Sequence, residues 1–142
     1  MVRLELTRRY AFAASHRLHS PRLSPAENQR IYGKCNNPYG HGHNYVAEVT
    51  VTGPLDPATG MIAHLGELDR FVARQVLEPF DHRNLNEDLP AFRDRVPTTE
   101  NLCIEIFQRL QPFPGARLVR IRLEETGRNS FEYAGEPGGS QT

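Results

Sequence analysis

The residues of this 142-residue chain best suited to chemistry near neutral pH are its six histidines and two cysteines, and three of the histidines fall into one pattern. His41 and His43 flank Gly42 at the head of a run to Thr52 that is rich in Val, Tyr and Thr and reads as a strand. Residues two apart on a strand point the same way, so both imidazoles share a face, which continues through Tyr45, Ala47, Val49 and Val51. His16 ends an earlier run in which Val2, Leu4, Leu6, Tyr10, Phe12 and Ala14 hold the even positions, so it too faces the apolar side. A lone histidine at a strand end is usually an ordinary hydrogen-bonded residue. Three imidazoles on one interior face need a shared partner, and a divalent cation on three histidines keeps a fourth tetrahedral position open. That is the arrangement of a catalytic zinc site, with His16, His41 and His43 as ligands.

Two further residue types carry chemistry. Cys35 lies in a polar Asn/Gly segment six residues before His41, and a thiol near a cation has its thiolate favoured. Cys103 shares a helical stripe with Ile106, Phe107 and Leu110 and reads as a core residue. Along a late strand Val119, Ile121, Leu123 and Glu125 share one face, with Arg120, Arg122 and Glu124 on the other. A carboxylate that continues an apolar face needs a partner, because burying it unpaired is costly.

The elements that must hold these residues follow from periodicity. The first strand alternates cleanly except at Arg8, which marks a bulge. Residues 19–40, with three prolines and several asparagines, read as a long irregular loop. After the second strand and a Gly/Pro turn, Leu65, Leu68, Val72 and Val76 form a helical stripe that stops near Pro79. A second helix runs from about Thr99 to Gln111 between Pro97 and Pro112, and Leu118–Glu125 with Phe131–Tyr133 closes the chain as a hairpin. The order β-β-α-α-β-β predicts an α+β domain, two helices packed on one face of a four-stranded antiparallel sheet. One domain over residues 1–135 is expected, followed by a Gly-rich disordered tail, 136–142.

Bulk composition narrows the partners. Lys plus Arg equals Asp plus Glu at 17 each, so no basic field points to nucleic acid or an acidic membrane. No stretch approaches the roughly 18 apolar residues of a membrane span, and the N-terminus has no signal-type apolar core. Two cysteines make no disulfide framework. A cytoplasmic protein is expected.

Several blocks of the sequence, taken together, resemble one family. They are Phe12-Ala13-Ala14-Ser15-His16-Arg17-Leu18, the long Gly33-Lys34-Cys35-Asn36-Asn37-Pro38-Tyr39-Gly40-His41-Gly42-His43-Asn44-Tyr45, Asp81-His82-Arg83-Asn84-Leu85-Asn86, and Pro97-Thr98-Thr99-Glu100-Asn101-Leu102. In this order, over about residues 2–135, they resemble the 6-pyruvoyltetrahydropterin synthase family, which also includes 6-carboxytetrahydropterin synthases. The resemblance implies a tunnelling fold, a homohexamer built as a dimer of trimers with active sites between subunits, and 7,8-dihydroneopterin triphosphate as substrate. It implies Cys35 as catalytic base, Asp81 and His82 as its proton relay, and Glu125 as the carboxylate that accepts the pterin's ring N–H and amino group. Thr98, Thr99 and Glu100 would line the pterin pocket, although an N-cap with an acidic first turn explains them equally well. Arg17 and Lys34 are candidates for the triphosphate.

The expected reaction is elimination of triphosphate to give 6-pyruvoyltetrahydropterin. The alternative is the 6-carboxy product with release of acetaldehyde; the five residues between Cys35 and His41 are closer to the 6-pyruvoyl type. His64 stands where the family usually has Asp or Asn and reads as a helix cap, and Tyr39 replaces a common Asn. A cupin-like oxygenase using Glu48 is disfavoured, because Glu48 faces away from His41 and His43. A zinc module that serves only folding is the remaining alternative.

Overall fold

The computed structural model describes residues 4–137. Strands β1 (Glu5–His16) and β2 (His41–Thr52) form one unbroken antiparallel ladder, from Glu5 opposite Thr52 to His16 opposite His41. β4 (Arg117–Thr126) pairs with β2, and β5 (Asn129–Tyr133) with β4, all antiparallel. A two-residue strand, β3 (Arg83–Asn84), adds in parallel to the outer edge of β1, giving the order β3-β1-β2-β4-β5. The four expected strands are present; β3 is the addition, too short for any periodicity to announce it. Val2 and residues 138–142 of the expected tail lie outside the described residues.

One face of the sheet is buried. Phe12, Ala14, Tyr45, Ala47, Val49, Val51, Leu118, Ile121 and Leu123 form the core with Leu68, Val72, Val76 and Phe80 of the first long helix and Leu102, Ile106, Phe107 and Leu110 of α5 (Thr99–Leu110). Cys103 is buried there too, its thiol pushed up to about 12 by burial, as a structural role requires. Leu4, just before β1, and Leu65, the first residue of its helix, remain 46% and 37% exposed despite their places in the apolar stripes.

Arg8 does not mark a bulge, since the β1–β2 register is continuous through it. Its guanidinium instead forks onto Asp69 at 2.7 and 2.9 Å, and the Tyr10 hydroxyl donates to the same carboxylate at 2.7 Å. These bonds, Arg8 foremost, hold the Asp69 carboxyl down at about 2. The bulges lie in β4. Val119 is an extra residue, so Leu118 rather than Val119 enters the core, and Glu125 is a second extra residue against β5.

The expected loop 19–40 contains a helix, α1 (Pro25–Tyr32), followed by a 3-10 turn, Gly33–Asn36. Ser24 and Glu27 form a reciprocal capping box and Pro25 supplies the fixed φ of a first helical residue. The helix has no apolar stripe to reveal it: its buried residue is Asn28.

The first long helix comprises α2 (Leu65–Val72), a π turn (Ala73–Leu77) and α3 (Glu78–Phe80). His64 caps it, its ring accepting from the Glu67 N–H at 3.1 Å. The helix passes Pro79 by one residue. Proline cannot donate to the Gln75 carbonyl four residues back and crowds it, and the widened π turn relieves the clash. Arg109 of α5 reaches that carbonyl at 3.4 Å and lies over the Phe80 ring at 4.7 Å. Arg109→Met is expected to lower unfolding stability by about 1 kcal/mol; an unchanged denaturant midpoint would show that the contact contributes nothing. The short α4 (Leu85–Asp88) follows β3. Among the described residues no helix is long and apolar enough to cross a membrane.

Candidate metal centre

His16 is fully buried at the end of β1. Its Nδ1 lies 2.8 Å from the Pro97 carbonyl, which can only accept, so Nδ1 carries the proton and Nε2 presents a bare lone pair. That Nε2 is 3.1 Å from Nε2 of His43. Two nitrogens of a tetrahedral zinc, each bonded at 2.0–2.1 Å, sit about 3.3 Å apart, so the pair is already spaced for one ion. The Cys35 Sγ is 3.9 Å from the same His43 nitrogen, and the donor atoms of His16, Cys35 and His43 all lie within 4.8 Å of one another. This cluster could hold a metal ion.

Of the three expected histidine ligands, two converge. His41 is exposed, its ring stacked edge-on to His43 at 4.8 Å between centroids, and it is not part of the converging group. Strand parity puts His41 on the face of His43, but as the first residue of β2 its ring is left exposed.

Burial lowers the proton affinity of both His16 and His43. Both are therefore held in the neutral form that binds metals. The unfolded histidines take up protons near the ordinary 6.5, the folded ones only below it. Stability is thus complete above about 6.5 and declines as the pH falls below it. Protein stripped of metal should show a falling thermal midpoint between about pH 7 and about pH 5, and a flat profile would contradict this assignment. The Cys35 thiol is shifted the other way, pushed up by burial and by the Glu125 carboxylate, so the expected thiolate requires a cation beside it.

Glu125, the second extra residue of β4, lies beside this cluster. The hydroxyl of buried Thr99 donates to its carboxylate, which lies 3.9 Å from His43. Thr98 caps α5 by accepting from the Asn101 N–H, and Glu100 is exposed in the first turn, where the helix dipole favours an acid. Glu125 and Thr99 thus join the cluster, while Thr98 and Glu100 stand at the start of α5.

Asp81 and His82 lie elsewhere. Asp81 accepts from the Ala13 N–H at 2.8 Å and sits 3.1 Å from the His82 ring, and these contacts hold its carboxyl below the usual range. His82, at φ 59°, donates its backbone N–H to the Ala13 carbonyl. Its side chain is 82% exposed and lines a recess of about 550 Å³ with Ala13, Ser15, Gly42 and Asn44. Within one chain the pair does not reach Cys35. Arg17 turns its Nε to the Asn36 carbonyl at 3.2 Å, Lys34 sits in the 3-10 turn, and Tyr39 is 94% exposed. Glu48 pairs with Arg9 and Arg122 on the face away from the histidines, which removes the oxygenase alternative.

Two contributors had little signal in the sequence. The Tyr45 hydroxyl is 3.4 Å from His16 Nδ1, legible only as the next same-face residue after His43. The Pro97 carbonyl is a backbone group 81 residues from His16, and nothing local announces it.

The chain matches the family model described as 6-pyruvoyl tetrahydropterin synthase over residues 5–136. It is 49% identical to the 6-pyruvoyl tetrahydrobiopterin synthase of Poecilia reticulata over 92% of this chain and 90% of that one. It is 47% identical to the Homo sapiens synthase of the same name, over 93% and 92%. The solved structure of Caenorhabditis elegans 6-pyruvoyl tetrahydropterin synthase superposes with a TM-score of 0.89 at 42% identity, covering 96% of this chain and 98% of that one. Matched by the family model over residues 5–136 and similar to these synthases over nearly the whole of each chain, this chain belongs to the 6-pyruvoyl tetrahydropterin synthase family.

Proposed function

We propose that the chain is a zinc-dependent lyase that converts 7,8-dihydroneopterin triphosphate to 6-pyruvoyltetrahydropterin with loss of triphosphate. The observation that carries this is the meeting of two neutral imidazoles, a thiol and a carboxylate at one end of the sheet. Relatives of 47–49% identity named for the 6-pyruvoyl product favour it over the 6-carboxy reaction.

His16 and His43 would hold the zinc, with His41 beside them as the third ligand. Bound there, zinc supplies Lewis acidity to the substrate's side-chain oxygens and stabilises negative charge developing on them. Cys35, beside that charge, takes the proton from the carbon next to a hydroxyl. Glu125, held by Thr99, accepts the ring N–H and amino group of the pterin, and this two-point contact orients the side chain toward Cys35. Asp81 and His82 relay the proton for the Cys35 of a neighbouring chain in a hexamer in the cytoplasm.

That last assignment has its own test. Cys35→Ala and His82→Ala, each inactive alone, should recover activity when co-expressed, because mixed assemblies contain some sites with both residues intact. No recovery in assemblies shown to be mixed would place the two residues in separate functions. For the reaction, purified protein is incubated with 7,8-dihydroneopterin triphosphate, and triphosphate, pterin product and acetaldehyde are measured. Stoichiometric triphosphate and 6-pyruvoyltetrahydropterin without acetaldehyde is the expected result; stoichiometric acetaldehyde would assign the 6-carboxy reaction instead.

A further inference from the structure

The segment that carries His16 is gripped from both sides, and the grip continues past the end of β1 through side-chain amides. On the outer side, Asp81 and His82 bond both backbone groups of Ala13, and β3 pairs Arg83 and Asn84 with Ala14 and Ser15. Where β3 ends, the Asn86 side chain takes over. Its Oδ1 accepts from the Arg17 N–H at 2.7 Å and its Nδ2 donates to the Arg17 carbonyl at 2.8 Å, as a peptide group of a neighbouring strand would. Asn86 is itself fixed, because its backbone N–H donates to the cap residue Asn84 at 3.0 Å.

On the inner side the next residue meets the thiol segment. The Leu18 N–H donates to the carbonyl of Cys35 at 2.7 Å. The side chain of Asn36, only 3% exposed, donates to the Leu18 carbonyl at 2.8 Å and meets His19 at 3.1 Å. Gln29 of α1 donates to the Asn36 Oδ1 at 3.3 Å, and Arg17 to the Asn36 carbonyl at 3.2 Å. Arg17-Leu18 is thus a splint with Asn86 on one side and Cys35-Asn36 on the other. The 3-10 turn bearing Cys35 has no strand pairing of its own, so this splint sets where its sulfur stands relative to His16 and His43.

We propose that Asn86 and Asn36 are positioning residues for the Cys35 thiol, acting through the backbone of Arg17 and Leu18. The inference rests on the functional reading above for its kinetic consequence, and on the hydrogen bonds alone for its geometric one. A misplacement of about 1 Å can cost on the order of 100-fold in rate. Asn86→Ala and Asn36→Ala should therefore lower kcat for triphosphate release about 10- to 100-fold with KM changed less than about threefold.

The test measures kcat and KM, zinc content and thermal midpoint of Asn86→Ala, Asn36→Ala and Asn86→Asp. In parallel, the rate at which iodoacetamide alkylates Cys35, read by peptide mass spectrometry, is compared with wild type. Asn86→Asp keeps the acceptor for the Arg17 N–H but turns a carboxylate oxygen onto the Arg17 carbonyl that Nδ2 donates to, so its kcat should fall at least as far as that of Asn86→Ala. The alanine variants should stay folded and zinc-bound while Cys35 alkylates at least about fivefold faster, its segment released from the splint. Unchanged kcat and alkylation in both alanine variants overturns the proposal, as does a loss of kcat wholly accounted for by lost zinc or lost folded protein. If wild-type protein does not turn over the substrate, the functional reading fails while the alkylation comparison still decides the positioning role.

Discussion

Cys35→Ala is expected to lower turnover of 7,8-dihydroneopterin triphosphate by about 10²- to 10⁴-fold, the range associated with loss of a general base, while zinc remains stoichiometric. The geometry makes this a sharp test, because Sγ stands 3.9 Å from His43 and within 4.8 Å of both imidazole donors. A sulfur at that range can serve either as a base facing the metal or as one of its ligands. If it is the base, the variant keeps its metal and loses only the chemistry. If zinc departs with the thiol, Cys35 belongs to the ligand set and the proton must leave to another group. The raised proton affinity of the thiol adds a second readout. Cys35 should alkylate slowly in stripped protein and faster once a cation is restored and the thiolate is favoured.

His16→Ala should abolish zinc binding and activity together, and it should also destabilise the metal-free protein. The imidazole is fully buried and donates to the buried Pro97 carbonyl, which would be left without that donor. Losing a partner of a buried acceptor costs about 1–3 kcal/mol, measurable by denaturant unfolding in the presence of chelator. His41→Ala is the control, since an exposed ring has little to lose in stability even if it contributes to metal binding. A His16→Ala protein that binds zinc as tightly as wild type would remove the central residue of the site.

Much of this site is legible in the sequence because a strand alternates with period two. That alternation places His16 and His43 on the core side with Phe12, Ala14 and Tyr45, and the structure finds those residues buried or nearly so. It fails where the backbone departs from the period. In β4 the extra residue Val119 inverts the parity before Ile121, so Leu118 takes the core position; from Ile121 onward the count holds and places Glu125 on the side of the cluster. The helix α1 is hidden for a different reason. It buries an asparagine that binds loop carbonyls rather than an apolar stripe, so only its Ser24–Glu27 capping box could have revealed it. The groups that hold the site in place, the Pro97 carbonyl, Asn36 and Asn86, act through backbone bonds between distant segments and leave no local pattern. The relay role of Asp81 and His82 rests on the family resemblance alone, and within one chain they contact Ala13 and each other.

The proposed zinc-dependent catalytic centre lies at the His16–His43 end of the sheet. Its most direct test is triphosphate release by chelator-stripped protein titrated with Zn²⁺. Activity should be absent in the stripped protein and rise linearly with zinc to saturate at one equivalent per chain. Full activity in protein verified to be free of metal would contradict it.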